Sequence, residues 1–181
     1  EFLYNKPRYC LWLVNANPAD LRKMPKVMER ISLCQKSRLS SSDSGRRKLA
    51  ETPHLFRETD VPEQYLALPF VSSEKRKYIP MDFYTNEVSP GDGGLNLIGN
   101  ASLYHFGILT STVHMSWMRA VCGRLEMRYR YSAKVVYNNF PWCNPTAEQK
   151  AKIEQTAQAI LDARALYPDC SLADLYDEVV M

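Results

Sequence analysis

Short apolar runs of strand length alternate along the chain with stretches of helical periodicity and with polar turns. Tyr9-Cys10-Leu11-Trp12-Leu13-Val14 is such a run and predicts a buried strand. It stops at Asn15-Ala16-Asn17-Pro18, where the Asn17 side chain can cap a helix and Pro18 suits its first position. Pro25 interrupts the helical pattern, which predicts a short helix to about Lys23 and a second from Pro25 to about Lys36. Residues 37–48 are Ser-rich, with Leu39 as their large apolar residue, and read as a mobile surface loop.

Residues 64–71 and 77–83 read as two strands joined by a polar segment. Ser89-Pro90-Gly91-Asp92-Gly93-Gly94 is a turn signal, and residues 95–98 and 102–106 read as short strands around Gly99-Asn100. Ser111 is placed to cap a helix running through Trp117 to Val121, with Gly123 as its stop. Beyond Pro145 the pattern becomes helical. Thr146-Ala147-Glu148-Gln149 is a capping-box sequence, Ile153, Ala157, Ile160 and Leu161 share one face, and Pro168 ends the helix before Ser171 starts a shorter one. The expectation is an α+β fold: a mixed or antiparallel sheet with packed helices (residues 1–144), followed by a helical C-terminal segment (residues 145–181).

The 181 residues, 45% hydrophobic and 24% charged, suit one globular domain with a small appendage. No apolar run reaches bilayer length, and the first residues carry neither a basic nor a long apolar leader, so a cytoplasmic protein without a membrane partner is expected. Cys10, Cys34, Cys122, Cys143 and Cys170 are odd in number, form no CxxC pair and do not cluster with His54, His105 or His114, so no metal site is expected. A net charge of +3 is only mildly basic. Its distribution says more, because Arg22, Lys23, Lys26, Arg30, Lys36, Arg38, Arg46, Arg47 and Lys48 are opposed between residues 22 and 48 only by Glu29 and Asp43. That excess fits a solvated surface or a phosphate-binding face, the candidates for the latter being Arg22, Lys23, Lys26, Arg46, Arg47 and Lys48.

No GxGxxG, no P-loop and no recognisable nucleophile–base pair is present, so no catalytic residue is assigned. His105 and His114 read as core or helix residues. Asn138-Asn139-Phe140-Pro141-Trp142 reads as a buried aromatic turn, because Phe140 stands where a base-holding Asn-Pro-Pro-aromatic motif needs proline. Arg124-Leu125-Glu126-Met127-Arg128-Tyr129-Arg130-Tyr131 alternates strictly. As one strand it would bury Leu125, Met127, Tyr129 and Tyr131 and present Arg124, Glu126, Arg128 and Arg130 on the other face. Two readings of that face stay open: solvated ion pairs, or a base-reading strand in which Arg donates to guanine and Glu accepts from cytosine.

Several ordered motifs then point to a family. They are Tyr9-Cys10-Leu11-Trp12-Leu13, Arg22-Lys23-Met24-Pro25, Arg47-Lys48-Leu49-Ala50-Glu51-Thr52-Pro53, Ser72-Ser73-Glu74 with Tyr78-Ile79-Pro80, His114-Met115-Ser116-Trp117-Met118-Arg119, and Val136-Tyr137-Asn138-Asn139-Phe140-Pro141-Trp142. Over nearly its whole length the chain resembles the target-recognition domain and following C-terminal region of the MmeI-like, type II single-chain restriction–modification DNA methyltransferases. The resemblance implies a domain that binds double-stranded DNA and positions it for a methyltransferase domain of the same polypeptide. The family's Asn-Pro-Pro-Tyr motif and S-adenosylmethionine loop precede the matching region, so no cofactor is expected in this chain and S-adenosylmethionine is expected in the parent, an adenine-N6 methyltransferase with or without endonuclease activity. Family members vary at the positions matching Glu126 and Arg128, where a Lys/Asp combination is another common form that tracks the base recognised. The position matching Arg130 is also implicated, and residues around Gly93 and Gly94 are a further candidate contact. An interaction module that docks the parent's other domains without reading bases is the alternative.

Overall fold

The computed structural model describes residues 1–89 and 94–179, which fall into two compact units: Glu1–Arg8 with the chain from Pro62 onward, and Tyr9–Val61.

The Tyr9–Val61 unit is helical. Asn17 accepts a 2.9 Å bond from the Ala19 amide and starts α1 (Pro18–Leu21); Pro25 opens α2 (Pro25–Leu39). The expected loop at residues 37–48 is instead mostly helix. α2 runs on to Leu39, and Asp43 caps α3 (Ser44–Lys48) by accepting from the Arg46 amide at 2.5 Å. A carboxylate three residues ahead of an orphan amide is enough to hold a short helical turn, whatever the serine content around it. A 3-10 turn, Leu49–Glu51, comes next, with Ala50 buried. Arg38 ties the unit together: its guanidinium donates to the carbonyls of Leu49 (2.7 Å), Thr52 (2.9 Å) and Leu55 (2.7 Å).

The strand expected at residues 9–14 is not formed. The segment has no regular structure and Tyr9 is 96% exposed. A strand needs a neighbouring backbone to satisfy its amides and carbonyls, and within this unit the regular elements are helices.

The larger unit holds two three-stranded antiparallel sheets. In the first, β1 (Gln64–Pro69) lies between β3 (Asp82–Thr85) and β4 (Leu95–Gly99); in the second, β6 (Arg128–Arg130) lies between β2 (Val71–Ser72) and β5 (Gly123–Leu125). β1 is central, and Tyr65, Leu66, Ala67 and Leu68 are all buried. The strand expected at residues 77–83 begins only at Asp82: Pro80 has no amide for a ladder, and Ile79 and Met81 reach the core from irregular backbone. The turn signal at residues 90–93 lies outside the described residues.

Residues 102–106, expected as a strand, belong to helix α4 (Leu103–Leu109). A reciprocal cap decides it, since the Ser102 amide donates to His105 Nδ1 at 3.0 Å. α5 (Thr112–Val121) starts where expected, with Ser111 accepting from the His114 amide at 3.2 Å. A π-turn, Ala133–Tyr137, leads into the aromatic turn, whose Phe140 and Trp142 rings meet edge to face at 5.3 Å. α6 (Ala147–Ala165) opens on the Thr146–Gln149 capping box and packs against α4, while α7 (Leu172–Leu175) begins at Ser171. Gly107 of α4 permits that approach: a Cβ there would stand 2.8 Å from Ile153 Cγ2. At the far end of α6, Arg164 donates to the Met81 carbonyl at 2.8 Å and to the Tyr176 hydroxyl.

Candidate nucleic-acid interface

The alternating segment is not one strand. Leu125 pairs with Arg128, so Glu126 and Met127 form a two-residue turn and the chain folds back into the β5–β6 hairpin. Reversal redistributes the faces, because directly opposed residues of an antiparallel pair point the same way. Arg124 lies opposite Tyr129, and its guanidinium carbon sits 4.1 Å from the centroid of that ring; it also donates to the Met127 carbonyl at 3.0 Å. Arg124 therefore braces the back of the hairpin and does not share a face with Arg128 and Arg130. Leu125 and Met127, expected inside, are 46% and 69% exposed; Tyr129 and Tyr131 are buried as expected.

The other face carries Arg128 and Arg130, flanked by Leu125 and Gly123 on β5 and by Val71 on β2. Arg128 Nη2 meets Glu126 Oε2 at 2.6 Å, with both side chains open to solvent. Glu126 holds φ at 56°. Among the described residues, Asn5, Asn100 and Glu126 are the non-glycines with positive φ. Asn tolerates that region because its short amide bonds locally, whereas glutamate occupies it at a cost of about 1–2 kcal/mol.

Two buried features fix the root of β6. Tyr131 donates its amide to the Phe70 carbonyl at 2.8 Å, and its hydroxyl lies 3.0 Å from His114 Nε2. Burial pushes the His114 imidazole down to about 4 and the Tyr131 phenol up, so both are neutral near pH 7. Gly94 lies close by through the backbone: its carbonyl accepts from the Phe70 amide at 2.9 Å, while the Arg130 guanidinium carbon lies 5.1 Å from the Phe70 ring centroid. Gly94 and Arg130 thus converge on one residue. Gly93 lies outside the described residues. Phe70 carried no signal in the sequence, where it is one more member of an apolar run.

The phosphate candidates Arg22, Lys23, Lys26, Arg46, Arg47 and Lys48 all belong to the Tyr9–Val61 unit and are exposed. They are not equivalent. Lys23 bonds Asp20 at 3.0 Å, Arg46 donates to Ser37 Oγ at 3.1 Å, and Arg47 donates to the carbonyls of Ser41 and Ser42 at 2.9 and 2.8 Å. Arg38, counted in the same basic stretch, is spent on the three carbonyls it clamps.

Among the described residues no group of three His, Cys, Asp or Glu side chains is placed to hold a metal ion, and no helix is long and apolar enough to cross a membrane.

Known proteins share this architecture. Residues 1–144 match the family described as MmeI, target recognition domain, and residues 145–181 match MmeI, C-terminal domain. The chain is 40% identical over 182 residues to DNA methyltransferase A of Bacillus subtilis (strain 168), an alignment covering 100% of this chain and 20% of that protein. It superposes with a TM-score of 0.95 on the Type IIL restriction-modification enzyme MmeI solved in complex with DNA, at 46% identity over 99% of this chain and 24% of that one. The chain thus spans about a fifth to a quarter of the length of these relatives. With both family descriptions matched end to end, the chain belongs to the MmeI family, as its target recognition domain followed by C-terminal-domain sequence.

Proposed function

We propose that this chain is the double-stranded DNA recognition domain of a cytoplasmic restriction–modification polypeptide, positioning duplex DNA for an adenine-N6 methyltransferase domain. Residues 1–144 do the reading, and the helical segment 145–181 braces them. One observation carries the assignment: a glutamate held at positive φ on an exposed hairpin, paired at 2.6 Å with an arginine. Strain retained on a solvent-facing turn, where glycine or asparagine would relieve it, points to use of the side chain itself. Paired in this way, Glu126 offers an acceptor to the cytosine amine and Arg128 two donors to guanine, which reads one C·G pair in the major groove. Arg130 and Gly94 contribute neighbouring base contacts. Arg22, Lys23, Lys26, Arg46, Arg47 and Lys48 serve phosphates and add affinity without sequence preference.

S-adenosylmethionine, implied by the family for the parent protein, finds no matching donor set in two cavities among the described residues. A cavity of about 520 Å³ lined by residues from Tyr9 to Phe56 and one of about 300 Å³ around Leu68, Asn96 and Tyr131 carry no carboxylate for the ribose hydroxyls.

A second reading applies to the Tyr9–Val61 unit alone. Tyr9, Leu33 and Leu39 are exposed there and α2 has no buried residue, which favours docking against the methyltransferase part of the parent.

The deciding experiment titrates the 181-residue chain with duplexes at low and moderate salt. A recognition domain binds its own site above random duplex and loses affinity steeply with salt; no duplex binding, or equal binding to all duplexes that disappears at moderate salt, leaves only the docking role.

A further inference from the structure

Phe70 is the residue at which the chain leaves one sheet and enters the other, since β1 ends at Pro69 and β2 begins at Val71. Its backbone is held from both sides. The amide donates to Gly94, next to β4 of the first sheet, and the carbonyl accepts from Tyr131, directly after β6 of the second. Tyr131 is in turn fixed by His114 in the core. The ring is therefore attached at a point where neither sheet can move without disturbing it.

Arg130 lies on that ring, its guanidinium carbon 5.1 Å from the centroid. The phenyl ring attracts the cation through its π face and carries no lone-pair acceptor. The contact therefore restricts the long side chain before any partner arrives and gives its N–H donors no strong acceptor there. The flank toward β5 is open: Gly123 is directly opposite Arg130, and a Cβ there would already stand 4.0 Å from the Arg130 Cβ.

We propose that Phe70 is a positioning residue for sequence reading, its ring holding the Arg130 guanidinium in the orientation that meets a base edge. Preorganisation of this kind raises discrimination by lowering the entropy lost on binding. The proposal rests on Arg130 being a base contact, and its test separates the two.

The full chain, with Phe70→Leu, Phe70→Tyr and Arg130→Ala variants, is titrated against duplexes substituted at each position of the recognition site. Arg130→Ala is expected to lose discrimination at one position by roughly tenfold or more. Phe70→Leu, close in size but without the ring face, is expected to lose about two- to fivefold at that same position. Its salt dependence stays unchanged, and Phe70→Tyr restores the discrimination. If Arg130→Ala leaves every position as before, the base-reading role of Arg130 fails and the positioning role with it. If Arg130→Ala relaxes one position while Phe70→Leu does not, the positioning role alone is overturned. A Phe70→Leu loss shared equally by all sequences, or unrestored by Phe70→Tyr, also overturns it and makes the ring ordinary packing.

Discussion

Glu126 and Arg128 are joined across a two-residue β-turn, Oε2 to Nη2 at 2.6 Å, with the glutamate backbone in the left-handed region. The pair is one donor–acceptor unit, and its order along the hairpin is the property a base pair would sense. Exchanging the charges with Glu126→Lys and Arg128→Asp keeps the ion pair and reverses that order. In the full-length parent protein, under the proposed methyltransferase role, this double change is expected to switch one recognised base from C to G and leave the other positions alone. Each single change mainly lowers activity, with roughly 1–3 kcal/mol of discrimination at stake. Sequencing the methylated sites decides it, and an unaltered recognition sequence makes the pair a solvated surface contact.

The same turn separates stability from function. Glu126→Gly relieves the positive φ and is expected to stabilise the fold by about 1 kcal/mol while removing discrimination at that base. Denaturant unfolding and the duplex panel measure the two effects. Loss of stability together with discrimination would mean the glutamate is structural.

For the basic residues, the expected effect is on salt dependence. Replacing Arg46, Arg47 and Lys48 together by Gln lowers affinity for all sequences alike and flattens the logarithmic salt slope by roughly 2–3, about 0.9 for each phosphate contact removed. Arg47→Lys distinguishes charge from scaffolding, because it keeps the charge but disturbs the bonds to the Ser41 and Ser42 carbonyls. A slope unchanged in the triple variant assigns these residues to ordinary surface.

His114 gives stability a definite pH dependence. It is neutral in the fold down to about 4, whereas in the unfolded chain it takes up a proton near the ordinary value of 6.5. Between those values the unfolded state binds more protons, so stability is full above 6.5 and is lost as pH falls toward 4. The loss is on the order of 3 kcal/mol. Urea unfolding across that window should show a decline that His114→Gln removes. A variant retaining the full decline would place its origin elsewhere.

Gly107→Ala tests the junction of α4 and α6. The added methyl would meet Ile153 Cγ2 at 2.8 Å and the Ile153 carbonyl oxygen at 3.2 Å, so backbone as well as side chain must give way. A destabilisation of roughly 1–3 kcal/mol is expected. Ile153→Ala in the same chain recovers part of it, since the side-chain clash goes and the carbonyl contact stays. Thermal unfolding of the single and double variants provides the check.

Helix starts were the most legible part of this chain. Asn17, Ser111, Thr146 and Ser171 each cap as their sequences suggest, because the bonded amide is only two or three residues away. His105 shows the limit of that reading. It closes a reciprocal cap with Ser102 and turns an expected strand into α4, a role usually looked for in Glu or Gln.

The candidate site was legible as composition and not as geometry. Alternation in residues 124–131 singled out Glu126, Arg128 and Arg130, and the family motifs gave that segment a role. The turn at Glu126-Met127 sends Arg124 to the opposite face, and it depends on β6 finding β2, a strand more than fifty residues away along the chain. The sequence by itself therefore determined the capped helices, the family and the residue types offered to a ligand, all of which rest on neighbours within a few positions or on the order of motifs. Only the tertiary structure decided whether an apolar run becomes a strand, which arginines share a face, and that Phe70 underlies Arg130. The pairing of β2 with β6 and the contact of Phe70 with Arg130 join residues more than fifty positions apart, and the local pattern does not say whether such a partner arrives.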